Sequence, residues 1–234
     1  MAGVLYLVPN TLGNPVSSKT IPAGVPELTR GINVFIVENI RNARRYLKSL
    51  DGSIDIDRIL FHELNEHTSS EEIPGFLNEV MEGADAAILS EAGLPGVADP
   101  GALVVAVAHQ KGIRVVPLTG PSSIFLSLMA SGLNGQAFTF HGYLPVKNPD
   151  RVKKIREIEQ VAKRSKETQI FIEAPYRNDG LISDILDTCD GSTLLCIAAD
   201  ITMDSEFIRT KSIGEWKRET RPSFHKKPAI FLLG

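Results

Sequence analysis

Apolar residues come in short blocks, and the spacing within each block separates strands from helices. VLYLV (4–8), INVFIVE (32–38), RILFHE (58–63), DAAILS (85–90) and IRVVPL (113–118) are compact runs rich in β-branched residues, which predicts five strands. Between them, ARRYLKSL (43–50), EEIPGFLNEVMEG (71–83, with Pro74 in its first turn) and ALVVAVAHQKG (102–112) are predicted as helices, the last buried and ended by Gly112. Alternating strands and helices argue for a parallel sheet covered on both faces, with all strand C-terminal ends on one edge. Ligands of open α/β sheets bind at that edge.

The pattern changes after Gly120. Residues 122–133 are predicted as a helix, and AFTFHGYLP (137–145) as a strand with an exit loop. Residues 151–165 form a charged helix with a narrow stripe at Val152, Ile155, Ile158 and Val161. A strand at 168–175 and a helix at 180–189 follow. STLLCIAADIT (192–202), FIRTKSIGEW (207–216) and PAIFLLG (228–234) read as strands or strand edges, so a mixed sheet is expected. The fold class is therefore α/β in two domains, 1–118 with a parallel sheet and 119–234 with a mixed one.

Composition narrows the class. The 234 residues are 43% hydrophobic and 23% charged, which excludes global disorder. The longest apolar run, Ala102–Ala108, is far shorter than the roughly 20 residues of a membrane span, so no membrane partner is expected. The first residues, MAGVLYLVPN, read as a strand rather than an export signal, and Cys189 and Cys196 are the only cysteines. Both points favour the cytoplasm. The net charge of −3 hides an asymmetry: residues 51–100 hold twelve acids and one base (Arg58), whereas 147–177 and 209–227 are net basic. The basic stretches are solvated faces or an anion-facing surface.

The candidate chemistry sits after the predicted strands. SEAGLPGVADPG (90–101) packs three glycines and two prolines into an irregular turn able to bring bare backbone groups against a ligand. PLTGPSSIF (117–125) turns at Gly120 and opens a helix at Ser122-Ser123. VPNTLGN (8–14) follows the first strand, VENIR (37–41) the second, FHELNEH (61–67) the third, and IEAPYR (172–177) a strand of the second half. The FHELNEH segment lacks the helical H-E-x-x-H context, so no metal is expected. Neither G-x-G-x-x-G after the first strand nor G-x-x-x-x-G-K-[ST] occurs.

VPNTLGN, VENIR, FHELNE, ILSEAGLPGVADPG, GIRVVPLTGPSS, ASGL with FTFHGYLPVK, and IEAPYR occur in that order. Together they resemble the successive motifs of the bacterial 16S ribosomal RNA cytidine-2′-O-methyltransferase family, in the tetrapyrrole (corrin/porphyrin) methylase superfamily. The likeness covers roughly residues 4–202, with a weaker match at KKPAIFLLG. It implies two α/β domains with a cofactor cleft between them, usually as a homodimer. It also implies S-adenosylmethionine as cofactor, S-adenosylhomocysteine as product and an RNA substrate.

Carried over by motif, Ser90, Glu91, Ala92, Gly93 and Val97 belong to the cofactor loop, with Pro9 beside it. Thr119, Gly120, Ser122 and Ser123 form a second cofactor wall, and Pro228, Ala229 and Ile230 lie near the adenine. A ribose hydroxyl is a poor nucleophile at pH 7 and benefits from a general base. The candidates are Glu38, Glu66 and His62, with Glu173 behind them. Arg41 and Arg177 would position phosphate or orient carboxylates.

The chain also departs from the family. E-D-T-R is here Glu38-Asn39-Ile40-Arg41, S-D-A-G-T-P is Ser90-Glu91-Ala92-Gly93-Leu94-Pro95, and E-L-T-K is Asp200-Ile201-Thr202-Met203. Methyl transfer is thus better supported than the ribosomal substrate. A divergent paralogue, a tetrapyrrole or small-metabolite methylase, and a non-catalytic module retaining the fold are the alternatives.

Overall fold

The computed structural model describes residues 2–13 and 19–234, and it divides into two compact units, Met1–Ser122 and Ser123–Gly234. Asn14, the last residue of the VPNTLGN motif, lies outside the described residues.

The first unit runs β1 (Val4–Val8), α1 (Gly24–Thr29), β2 (Val34–Val37), α2 (Ile40–Leu50), β3 (Leu60–Glu63), α3 (Asn78–Met81), β4 (Ala86–Leu89), α4 (Gly101–Gln110) and β5 (Arg114–Pro117). The strands form one sheet in the order β3-β2-β4-β1-β5, with every pair parallel. VFIV and AAIL are buried at every position, as strands covered on both faces must be. Alternation then sorts their side chains. Phe35, Val37, Ala87 and Leu89 pack with Ala43 and Leu47 of α2, while Ile36 and Ile88 pack with Leu77, Val80, Val104 and Ala108 on the other face.

The second unit contains α5 (Ser123–Ser131), β6 (Phe138–Tyr143), α6 (Asn148–Ser165), β7 (Thr168–Ile172), α7 (Asn178–Thr188), β8 (Leu194–Ala199), β9 (Phe207–Ser212), α8 (Ile213–Arg218) and β10 (Ala229–Leu233). Its sheet order is β6-β7-β10-β8-β9, parallel only between β6 and β7. The expected mixed sheet is present. Trp216, the one tryptophan of the chain, is buried in this core, and its indole N–H donates to the Leu195 carbonyl at 2.9 Å.

Four local expectations need correction. The stretch 71–83 is not one helix: a 3-10 turn at Ile73–Leu77 leads into the single turn of α3. SIGEW is helix, because Ser212 and Glu215 close a capping box that satisfies the first amides of α8. The helix at 101–110 buries only Gly101, Val104 and Ala108, and Leu103 is 55% exposed. On α6 the buried stripe is Ile155, Ile158, Glu159 and Ala162, with Val152 and Val161 only half-buried. Glu159 is tolerated there because its carboxylate accepts from Asp190 N at 2.8 Å and from the Thr193 hydroxyl. Among the described residues, no helix is long and apolar enough to cross a membrane.

Candidate active site

In the first unit, the loops that follow β1, β2 and β4 converge because parallel strands all end on the same edge. β2 ends at Val37, leaving Glu38 as the first residue outside the sheet. Asn39 then caps α2, its side-chain oxygen accepting from Asn42 N at 3.0 Å. That cap turns the chain sharply and leaves Glu38 facing the β4 exit.

The β4 exit is the glycine-rich loop. Gly93 and Gly96 take φ values of +69° and +80°, and Ala98 takes +54°, a region costly for a residue with a side chain. Asp99 holds this path: one carboxylate oxygen accepts from Gly96 N at 3.0 Å and from Gly101 N at 2.7 Å, at the start of α4. The β1 exit is fastened to the same loop. Asn10 N donates to Gly93 O at 2.8 Å, and the Asn10 side-chain amide donates to Ser90 O at 2.9 Å and Glu91 O at 3.1 Å. Tyr46 of α2 donates its hydroxyl to Pro9 O at 2.6 Å. Gly120 closes against this frame so tightly that a Cβ there would stand 2.1 Å from the Cβ of Pro9.

Three carboxylates result: Glu38, Glu91 and Asp99. Glu38 Oε1 lies 3.4 Å from the Glu91 amide, which donates to it. Burial pushes the Glu38 carboxyl up to about 7; a side-chain hydrogen bond with Asp99 and the charges of Asp99 and Glu91 add to the rise, and the Glu91 amide opposes it. The Asn42 amide donates to Glu91 Oε2 at 2.6 Å. Asn42 and Glu91 line two clefts. One, of about 710 Å³, also holds Glu38, Glu66, Pro100 and Leu103; the other, of about 430 Å³, also holds Asn10, Thr11, Arg45 and Ala92. A titratable carboxyl poised near neutrality in a cleft is suited to taking a proton.

Glu66 reaches the larger cleft with a side chain 87% exposed, paired loosely with His67. His62 stacks on Phe76 and places Nε2 3.3 Å from Glu79 Oε2, so its ring is engaged by the 73–81 segment. Arg41 is exposed in the first turn of α2. Ser90 is buried and donates to Ala92 O at 3.2 Å, whereas Val97 and Thr119 are exposed and Ser122 is half-buried. In the second unit, Ser123 opens α5, Pro228 is exposed, and Ala229 and Ile230 lie in β10, the central strand of its sheet. Glu173 is fully buried at its side chain and accepts from Arg177 Nε at 2.9 Å and from Ala174 N at 2.6 Å. Among the described residues, no group of three His, Cys, Asp or Glu side chains could hold a metal ion.

A family model for tetrapyrrole (corrin/porphyrin) methylases matches residues 33–217. The chain belongs to this methylase family. Relatives include the ribosomal RNA small subunit methyltransferase I of Vibrio cholerae, 30% identical over 216 residues, covering 92% of this chain and 70% of that protein. The protein of the same name from Streptococcus pyogenes serotype M6 is 34% identical over 214 residues, covering 92% and 70%. The crystal structure of the methyltransferase CobJ matches with a TM-score of 0.64 at 14% identity, over 100% of this chain and 94% of that one. A uroporphyrin-III C-methyltransferase from Thermus thermophilus, complexed with S-adenosylhomocysteine, matches at 0.55 and 19%, over 99% and 97%.

For a tetrapyrrole methylase, then, the fold and family expected from the sequence are borne out. The sequence reading missed Asp99, Asn42 and Asn10, the groups that hold the methylase loops together. A signal existed for Asp99: an acidic residue two before Gly101, at the start of a helix-like run, is an amide-capping position.

Proposed function

We propose that this methylase is an S-adenosylmethionine-dependent methyltransferase that methylates a ribose 2′-hydroxyl of small-subunit ribosomal RNA. The carrying observation is the Glu38 carboxyl, poised near pH 7 in the cleft beside the glycine-rich loop, in a chain whose relatives bear the small-subunit methyltransferase name.

The chemistry of the site suits the cofactor, which carries a sulfonium and an ammonium. Three carboxylates face one region, and the loop offers glycine backbone rather than side chains. Ser90, Glu91, Ala92, Gly93 and Val97, with Pro9, Thr119, Gly120 and Ser122, are the proposed cofactor contacts of the first unit. Ser123, Pro228, Ala229 and Ile230 are assigned from the resemblance alone. When bound, the cofactor supplies an activated methyl group, so the protein's task is alignment and proton removal.

Glu38 accepts the 2′-hydroxyl proton on a carboxylate oxygen as the ribose oxygen bonds to the methyl carbon. The bound cofactor would supply the methyl group and leave as S-adenosylhomocysteine. Asp99 positions Glu38, and Asn42 fixes Glu91 at the rim. Glu66 and Arg41 are outer groups that meet the RNA, and His62 and Glu173 act as structural anchors rather than as bases. The working form is a cytoplasmic homodimer, with substrate-side loops in the first domain.

The deciding experiment has two arms. Calorimetry tests cofactor binding, with micromolar affinity expected. Labelled cofactor is then incubated with small ribosomal subunits and, separately, with the small-molecule fraction from a strain lacking the protein. Label in 16S rRNA at a base-stable 2′-O position supports the reading. Cofactor binding with label only in a small-molecule fraction overturns the RNA substrate, and no cofactor binding at millimolar concentration overturns the enzyme.

A further inference from the structure

At the 173–177 turn of the second unit, an exposed tyrosine lies against a guanidinium, and a second exposed tyrosine ends the adjoining strand. Tyr143 ends β6 and pairs in parallel register with Ile172, the residue before Glu173. Tyr143 and Tyr176 are 61% and 62% exposed. The Arg177 Cζ lies 5.3 Å from the centroid of the Tyr176 ring. The Glu173 hydrogen bond holds the Arg177 guanidinium above its usual range. Isolated surface aromatics are ordinary, but one set against a cation beside a second on the adjoining strand end is a patch.

The patch is preorganised. Glu173, with no exposed side-chain surface, clamps Arg177, whose side chain is a quarter exposed. The chain at 224–227 is tied to the same turn: Lys226 N donates to Pro175 O at 2.9 Å, and the Asn178 amide donates to Phe224 O at 3.1 Å and Lys227 O at 2.7 Å. His225 and Lys226 stay exposed beside it.

We propose that Tyr143, Tyr176 and Arg177 form a stacking platform for unpaired bases of the RNA substrate, with Lys226 meeting an adjacent phosphate. The proposal rests on the RNA reading given above. Proteins that read RNA splay unpaired bases onto aromatic rings and guanidinium planes, whereas lysines alone would serve backbone contact. A tyrosine ring, with only two rotatable side-chain bonds, loses little freedom on binding.

The test uses the full chain, a fluorescent single-stranded RNA of about 12 nucleotides and anisotropy at fixed salt, with cofactor calorimetry and sedimentation alongside. Tyr176→Ala and Tyr143→Ala should each weaken RNA binding about ten-fold, and Tyr176→Phe should hold within about two-fold. Lys226→Ala should lower the salt slope by about one. Cofactor affinity should not move in the tyrosine variants. If the parent binds RNA and both alanine variants match it, the platform is overturned while the RNA reading stands. A parent that binds cofactor but no RNA overturns both. RNA affinity lost only together with a change of oligomeric state overturns the platform in favour of an interface between copies.

Discussion

Glu38 and Glu173 occupy equivalent places: each is the first residue beyond a strand, and each is followed within four residues by an arginine. Their fates are opposite. In the second unit, a 3-10 turn at Pro175–Arg177 curls the chain, with Arg177 N donating to Ala174 O at 2.8 Å, and the guanidinium returns onto Glu173. In the first unit, Asn39 starts a helix instead, so Arg41 projects from its first turn into solvent and Glu38 meets Asp99 and Glu91. One carboxylate is paired with its own arginine; the other is held near its titration point, by burial first and by the Asp99 and Glu91 carboxylates second. The turn that follows the glutamate decides which, not the glutamate itself.

The contrast breaks most visibly at Glu38. Glu38→Gln should lower kcat by about 10²–10⁴-fold. It should also remove the step near pH 7 across which the parent's kcat rises as Glu38 loses its proton. A variant that keeps that step shows that the base is elsewhere. On the other side, Arg177→Met strands a buried carboxylate and should cost about 3 kcal/mol in denaturant unfolding. Arg41→Met should stay within about 0.5 kcal/mol, and equal costs would erase the distinction.

Gly120→Ala tests the frame rather than the charges. Its Cβ would overlap Pro9, and the strain should cost about 1–3 kcal/mol, seen as a lowered Tm together with weakened cofactor binding. The smallest effect is in the pH dependence of stability. The Glu38 carboxyl titrates near 7 when folded, against an ordinary value of 4.5, so the folded state holds the proton more tightly. Its contribution is full below about 4.5 and is lost as pH rises through 7. Glu38→Gln should therefore match the parent in Tm near pH 4 and exceed it slightly at pH 8. A difference constant with pH would contradict the assignment.

Much of this was legible beforehand, for local reasons. Short, wholly apolar runs such as VFIV and AIFLL, bounded by polar or turn residues, read as buried strands, and the motif order carried the family. What stayed hidden depended on partners far along the chain. Nothing local in FHELNEH says that His62 is drawn to Phe76 and Glu79, and nothing in VENIR says that Asp99 lies opposite Glu38. SIGEW was misleading in a different way: its apolar residues suit a strand edge, and only the Ser212–Glu215 spacing, visible in the sequence, gives away the cap. The glycine-rich loop was legible as backbone because glycines announce unusual φ, whereas the aspartate that shapes it was signalled only by its place two residues before Gly101.

The lone indole has a practical consequence. Trp216 belongs to the core of the second unit, with its N–H bonded to a β8 carbonyl, and the first unit holds no tryptophan at all. Emission excited at the red edge thus reports on one half of the chain only. Paired with far-ultraviolet dichroism, which sees both sheets, it offers a label-free way to ask whether the halves melt together or in turn, and which of them a bound cofactor protects.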